Sequence, residues 1–335
     1  MMRVARPTTI SNRAINRLII TVALVLLVGI PAFFLFYWND RHVDPGASAA
    51  DRVIAAAEAA VKASPNDAGA RDHLGAAYVS GGRLQDGIDQ FTQALKLSTG
   101  DRAALLGRAI TYRKANQLDL AQADLQTFIA ANKDGEFAKT DPQLEQVYYE
   151  LGVVELLQSH APDAVTALTS AVAIDASDAD ALYSLGVALT QSGDPTKGVI
   201  ALKQAIAFVP TGWSDPYARL GDAYRALGNA DGVAYASGMV AFCAGNLDVA
   251  DTTLKPLIAG AMKTDALIGL ALVAAGRGDK TAAVDYYRQA LVADPGNESA
   301  SIGLGALGAA VPAAPSSVPS TGPSPAASPS AGGTN

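Results

Sequence analysis

The chain is poor in the residues that carry chemistry. Of its 335 residues one is cysteine, three are histidine and two are tryptophan; aromatics make up 6% and charged residues only 17%. One cysteine excludes a disulfide framework, and Cys243, set among Met239, Val240, Ala241 and Phe242, reads as a small buried hydrophobe. His42, His73 and His160 stand too far apart for any two to show ligand spacing, so no metal site is expected. A net charge of −7 argues against the clustered Lys and Arg that a nucleic-acid partner requires. No G-x-S-x-G, P-loop or H-E-x-x-H pattern occurs. Neither an enzyme nor a cofactor nor a small-molecule substrate is expected. What the chain does have is apolar residues, 50% of the total and mostly small aliphatic ones, Ala above all. Ala costs no side-chain entropy in a helix, whereas strands favour β-branched and aromatic residues, so the composition predicts an all-α fold.

Residues 1–17 hold Arg3, Arg6, Arg13 and Arg17 and no acid, and an uncharged apolar run follows from Leu18 to Trp38. At about 1.5 Å per residue such a run spans roughly 31 Å, the thickness of a hydrocarbon core. It predicts a single transmembrane helix over 18–38, with Phe33, Phe34, Phe36, Tyr37 and Trp38 at its far boundary. By the positive-inside rule residues 1–17 are cytoplasmic, and everything after a linker over 39–50 is extracytoplasmic. A cleaved signal peptide ending near Ala47-Ser48-Ala49 is the rival, but the run is longer than a signal's apolar region and that tripeptide lies well past its end. Without those four arginines 21 basic residues face 32 acidic ones, a net of −11 that keeps the exported part soluble and away from anionic lipid.

Self-similarity governs the next 260 or so residues. Leu74-Gly75-Ala76-Ala77-Tyr78, Leu151-Gly152, Leu185-Gly186 and Leu220-Gly221-Asp222-Ala223-Tyr224 each sit in a segment of helical periodicity. A break such as Ser80-Gly81-Gly82, Ser192-Gly193-Asp194 or Leu227-Gly228-Asn229 and a second helical segment follow in the first, fourth and fifth units. The unit is helix, turn, helix. Its residues resemble the tetratricopeptide repeat, a 34-residue unit with Leu at position 7, small residues at 8, 20 and 27, an aromatic at 11, and Pro at 32. Repeats beginning at Ala68, Arg102, Glu145, Ala179, Ser214 and Thr264 fit, with Gly75, Tyr78, Gly87, Phe91 and Ala94 in the first and Gly186, Gly198, Leu202, Ala205 and Pro210 in the fourth.

The resemblance implies an α-solenoid over 51–310 with about six repeats, capped by helices around Val53–Ala63 and Glu298–Gly308. Gly75 against Gly87, and Gly186 against Gly198, would set the spacing within a pair, and Ala94, Ala171, Ala205 and Ala290 would admit the next repeat. Two irregularities stand out. About nine extra residues fall within 131–142, and the interval from Ser214 to Thr264 has room for three helices, with 231–243 serving either as the second helix of one repeat or the first of the next and 247–259 as an extra helix. An odd helix count there would change the phase of the superhelix. Residues 311–335, rich in Pro, Ser and Ala and uncharged, predict a disordered tail.

In this family positions 2, 5, 9 and 12 of each first helix line the concave side. The resemblance therefore implies a partner-binding groove from Leu106, Ile110 and Arg113, then Tyr149, Val153 and Leu156, then Tyr183 and Val187. The clamp for acidic chaperone C-termini is not expected, because Asp72 and Ala76 stand where such repeats carry Lys and Asn. The expected function is a membrane-anchored scaffold that holds a peptide or helix of another cell-envelope protein. An assembly chaperone similar to the anchored repeat subunits of bacterial cytochrome c biogenesis is a narrower alternative, and an enzyme with a site in 231–262, from Asp248, Asp251 and Lys255, is the alternative of another class. Three further motifs read as ordinary structure: Gly303-Leu304-Gly305-Ala306-Leu307-Gly308 spells a dinucleotide fingerprint without its strand, Arg277-Gly278-Asp279 falls on a turn, and Asn297-Glu298-Ser299 is a glycosylation sequon.

Overall fold

The computed structural model describes residues 30–31 and 48–312. The expected transmembrane helix and its flanks lie almost wholly outside the described residues, as do 313–335 of the expected tail; among the described residues no helix is long and apolar enough to cross a membrane. The described residues contain fifteen α-helices, two 3-10 segments and no strand. They fall into two compact units that part between Ala115 and Asn116.

The first unit holds α1 (Ala49–Ala63), α2 (Ala68–Ser80), α3 (Leu84–Leu97) and α4 (Arg102–Lys114). The starts of α1, α2 and α4 are chemically marked. Ser48 and Asp51 form a reciprocal capping box on α1, and the Asp67 and Asp101 carboxylates accept the first free N–H groups of α2 and α4. Helix α1 begins four residues before Val53 and covers Leu74, Ala77 and Tyr78 with Ile54, so the apolar face of α2 is not left to water. Between α2 and α3 the two glycines meet as the repeat pattern expects. A Cβ on Gly87 would lie 3.1 Å from the Gly75 carbonyl oxygen, and one on Gly75 would lie 2.9 Å from the buried Phe91 ring. The next helix uses the same ring from its other side, because a Cβ on Gly107 would come within 2.7 Å of it.

The second unit runs α5 (Leu118–Asn132), α6 (Pro142–Leu157), α7 (Ala161–Ile174), α8 (Ala179–Gln191), α9 (Pro195–Phe208), α10 (Asp215–Ala226), α11 (Ala230–Cys243), α12 (Leu247–Leu254), α13 (Lys263–Gly276), α14 (Lys280–Ala293) and α15 (Glu298–Ala306). The inserted residues after α5 make a 3-10 turn at Ala138–Thr140, and Asp141 caps a helix α6 that starts one turn earlier than Glu145, with Pro142 at its first position. Ala171, Ala205 and Ala290 are fully buried, which is what close approach of successive pairs requires. Three helices do occupy the interval between Ser214 and Thr264. The third is shorter than 247–259: Pro256 cannot donate to an α-helical ladder, so after Leu254 the chain tightens into a 3-10 segment, Lys255–Ala259.

The turns inside the pairs share one backbone device. A residue in the left-handed region ends the first helix: Gly82, Gly193, Gly228, Gly245 and Gly278, and, without glycine, Asn116 and Ser159. The following N–H then reaches back to a carbonyl five residues earlier, as in Arg83 to Tyr78 at 2.8 Å, His160 to Glu155 at 2.8 Å and Asn229 to Tyr224 at 2.9 Å. Residues five apart across this turn are thereby brought together in repeat after repeat.

Candidate partner-binding surface

The expected groove residues differ in how much surface they keep. Leu106, on α4, is only 8% exposed and contributes to the core of the first unit, whereas Ile110 and Arg113 on the same helix are half-buried. In the second unit Tyr149, Val153 and Leu156 on α6, and Tyr183 and Val187 on α8, are all half-buried. Tyr149 and Leu156 pack one side against the cluster of Ala164, Leu168 and Ala188. Tyr183 rests on the larger cluster built around Tyr217, Leu220, Tyr235 and Leu254. These side chains are therefore supported from beneath and partly open, rather than wholly core.

Around Tyr183 the structure adds residues that the repeat pattern did not single out. Trp213, in the loop before α10, sets its ring 5.0 Å from that of Tyr183 at a tilt of 54°. Arg219 of α10 donates to Asp222 at 3.2 Å, and the neighbouring Tyr183 and Asp222 hold its guanidinium above its ordinary range. An aromatic pair with a guanidinium at its edge is the combination that recognition surfaces favour. Trp213 could have been noticed as one of two tryptophans in the chain, but its approach to Tyr183 depends on the path of the 209–214 loop, which no periodicity specifies.

A second concavity lies among α5, α6 and α7. It encloses about 470 Å³ and is lined by Gln122, Gln126, Tyr148, Glu155, Asp163 and Ser170 among others. At its edge Glu155 is 4% exposed, an unusual place for a carboxylate. Gln122 donates to its Oε1 at 2.8 Å and His160 Nδ1 lies 3.0 Å from its Oε2. Glu155, His160 and Asp163 each place a ligand atom within 4.8 Å of the others, an assembly the histidine spacing did not foretell.

Two other carboxyls are electrostatically displaced. Burial first, and then the neighbouring Asp101, push Asp72 up to about 7. Glu145 is raised to about 7 by burial and by Asp178. Both face the capping aspartate of a following first helix, Asp101 on α4 and Asp178 on α8.

The region offered as an enzymatic alternative has its polar residues already committed. Lys255 pairs with Asp251 at 2.6 Å, and Arg277 reaches Asp248 at 2.6 Å and Asp251 at 3.5 Å. The two Arg277 pairs fasten α12 to the end of α13 and tie down the Arg277-Gly278-Asp279 turn. Residues 303–306 of the glycine-rich fingerprint belong to helix α15, where Gly303 lets the backbone meet the Tyr287 ring, so no phosphate-binding loop exists there. Asn297 of the sequon caps that helix through its side chain.

The sequence model of the tetratricopeptide-repeat family matches residues 50–102, 106–179, 149–212 and 235–298. Among curated proteins none matches the chain. Among solved structures, YrrB, described as a tetratricopeptide protein with an unusual peptide-binding site, is 18% identical over 60% of this chain and 98% of its own, with a TM-score of 0.49. MamA 41-end from Desulfovibrio magneticus RS-1 is 17% identical over 53% of this chain and 96% of its own, at 0.48. A chain of the APC/C hetero-tetramer Cut9–Hcn1 is 18% identical over 77% of this chain, at 0.44, and this chain spans 46% of that one.

Proposed function

The chain belongs to the tetratricopeptide-repeat family of protein–protein interaction scaffolds, and from that premise we propose that it is a membrane-anchored scaffold whose repeats hold a peptide or amphipathic helix of another cell-envelope protein outside the cytoplasm. The observation that carries the binding half of this reading is the partly open aromatic pair of Tyr183 and Trp213, edged by Arg219. Tyr149, Val153 and Val187 extend the same chemistry along the first helices α6 and α8, and Ile110 and Arg113 offer it on α4. An apolar strip with a cation at its border suits the apolar face of a helix or an extended peptide with an acidic flank.

Changing Tyr149 and Tyr183 together to Ala tests it. Partner capture should fall while helicity and melting temperature stay near wild type; a variant that melts far lower, with capture lost only in proportion, would assign both rings to packing alone. The anchoring half rests on the uncharged run 18–38 and the four arginines before it. A phosphatase active only outside the cytoplasm, fused after Asn335, should be active, and an inactive fusion together with an active cytoplasmic reporter would reverse the orientation.

A further inference from the structure

We propose that Glu155, His160 and Asp163 bind a divalent cation of the zinc class, independently of the partner groove. The shared turn juxtaposes residues five apart in repeat after repeat. In the first repeat it brings Arg83 over the ring of Tyr78, 4.1 Å from the centroid. Tyr78, Tyr112 and Tyr224 occupy the eleventh position of their repeats, and in the third repeat that position is Glu155. The partner across the turn is then His160, held by the 2.8 Å backbone bond from its own N–H to the Glu155 carbonyl. So a position that carries a tyrosine in three other repeats here buries a carboxylate, and the residue folded against it is an imidazole.

A buried carboxylate is costly unless strongly compensated, and its two partners supply only an amide and an imidazole. A cation between Glu155 Oε2 and His160 Nδ1 would complete the compensation. Zinc takes ring nitrogens and carboxylate oxygens at about 2.0–2.2 Å, which places two of its tetrahedral ligands about 3.3 Å apart. The two atoms lie 3.0 Å apart, so a small adjustment admits the ion. Asp163, three residues on and exposed on the first turn of α7, supplies the third ligand atom from within 4.8 Å. Gln122 orients the carboxylate by holding its other oxygen, the supporting role that metal ligands ordinarily receive from outside the coordination sphere. One imidazole with two carboxylates selects a borderline transition-series ion over calcium or magnesium, which take oxygen ligands alone. Because Glu155 and Asp163 also line the 470 Å³ cavity, a fourth position remains open to water or to a side chain entering from it.

The test is calorimetric titration of the full 335-residue chain, untagged and stripped with chelator, with zinc chloride. The expected result is one zinc per chain, lost in His160→Ala, weakened about tenfold or more in Asp163→Asn, and unchanged in a His42→Ala/His73→Ala variant. Asp163 is exposed, so Asp163→Asn should melt as the wild type does without metal, and it carries the test if His160→Ala, which strips the buried Glu155 of a partner, melts lower. No zinc binding, binding retained in His160→Ala, or binding indifferent to Asp163→Asn overturns the proposal.

Discussion

The fourth repeat and the three-helix interval after it pack by different rules. In α8 and α9 two glycines face each other. A Cβ on Gly186 would lie 3.1 Å from the Gly198 carbonyl and 2.5 Å from Leu202 Cγ, while one on Gly198 would lie 3.0 Å from the Gly186 carbonyl. Backbone meets backbone, and a single contact fixes the pair. In the interval no such reciprocity exists. Gly232 of α11 makes room for the ring of Tyr224 on α10, and Gly238 of the same helix makes room for Leu254 on α12. Six residues at 100° each put those two glycines about 120° apart around α11. One helix thus carries two close-approach faces and acts as the second helix of one pair and the first of another. An odd helix enters the array by giving a single helix both roles.

Alanine at three glycines grades the comparison from its strongest contact to its weakest. Gly186→Ala should destabilise by about 1–3 kcal/mol, since the added methyl meets a fully buried Leu202 and a backbone carbonyl and neither can retreat. Gly238→Ala should cost less, because its methyl meets Leu254 Cδ2 and Cγ at 2.9–3.0 Å and no backbone carbonyl opposes it. Gly221→Ala, 3.3 Å from the Ala236 methyl, should be close to neutral once helix propensity returns up to about 1 kcal/mol. Denaturant melts of the three variants check the order, and an equal loss at Gly221 and Gly186 would show that the two regions pack alike.

A smaller effect separates the regions by pH. The regular junctions set Asp72 against Asp101 and Glu145 against Asp178, whereas α11 is capped by Asn229 and α13 begins after Met262 without a side-chain cap. Raised carboxyls bind protons in the folded chain that the unfolded chain has released. Their contribution is therefore fully present below about pH 4, declines as pH rises toward about 7, and is gone above it. Asp72→Asn and Glu145→Gln should each raise the melting temperature more at pH 8 than at pH 5. A gain that is the same at both values would mean these carboxyls are ionised throughout.

The repeat signal was legible because its physics is local. Leu-Gly spacing, glycine turns and small residues at the close contacts name the helix pairs, and the excess length after Ser214 names the third helix. Pro256 was equally visible as the place where α12 must end, yet a length count alone runs the helix through it. What periodicity does not carry is depth and convergence. Leu106 has the register of a groove residue and the burial of a core one. Trp213 reaches Tyr183 from an irregular loop. Glu155 meets His160 only because Ser159, a residue with no evident preference for the left-handed region, turns the chain at φ 64°. Knowing that the turn pairs residues five apart makes that encounter readable in any repeat of this kind.

The central claim is that partners are held on the first helices, and photocrosslinking from single positions tests it most directly. A photoreactive residue replacing Val187, half-buried on first helix α8, should yield a discrete partner adduct in cells, and one replacing Ile200, 55% exposed on second helix α9, should not. Adducts from position 200 with none from 187 would place recognition on the second helices and contradict the account.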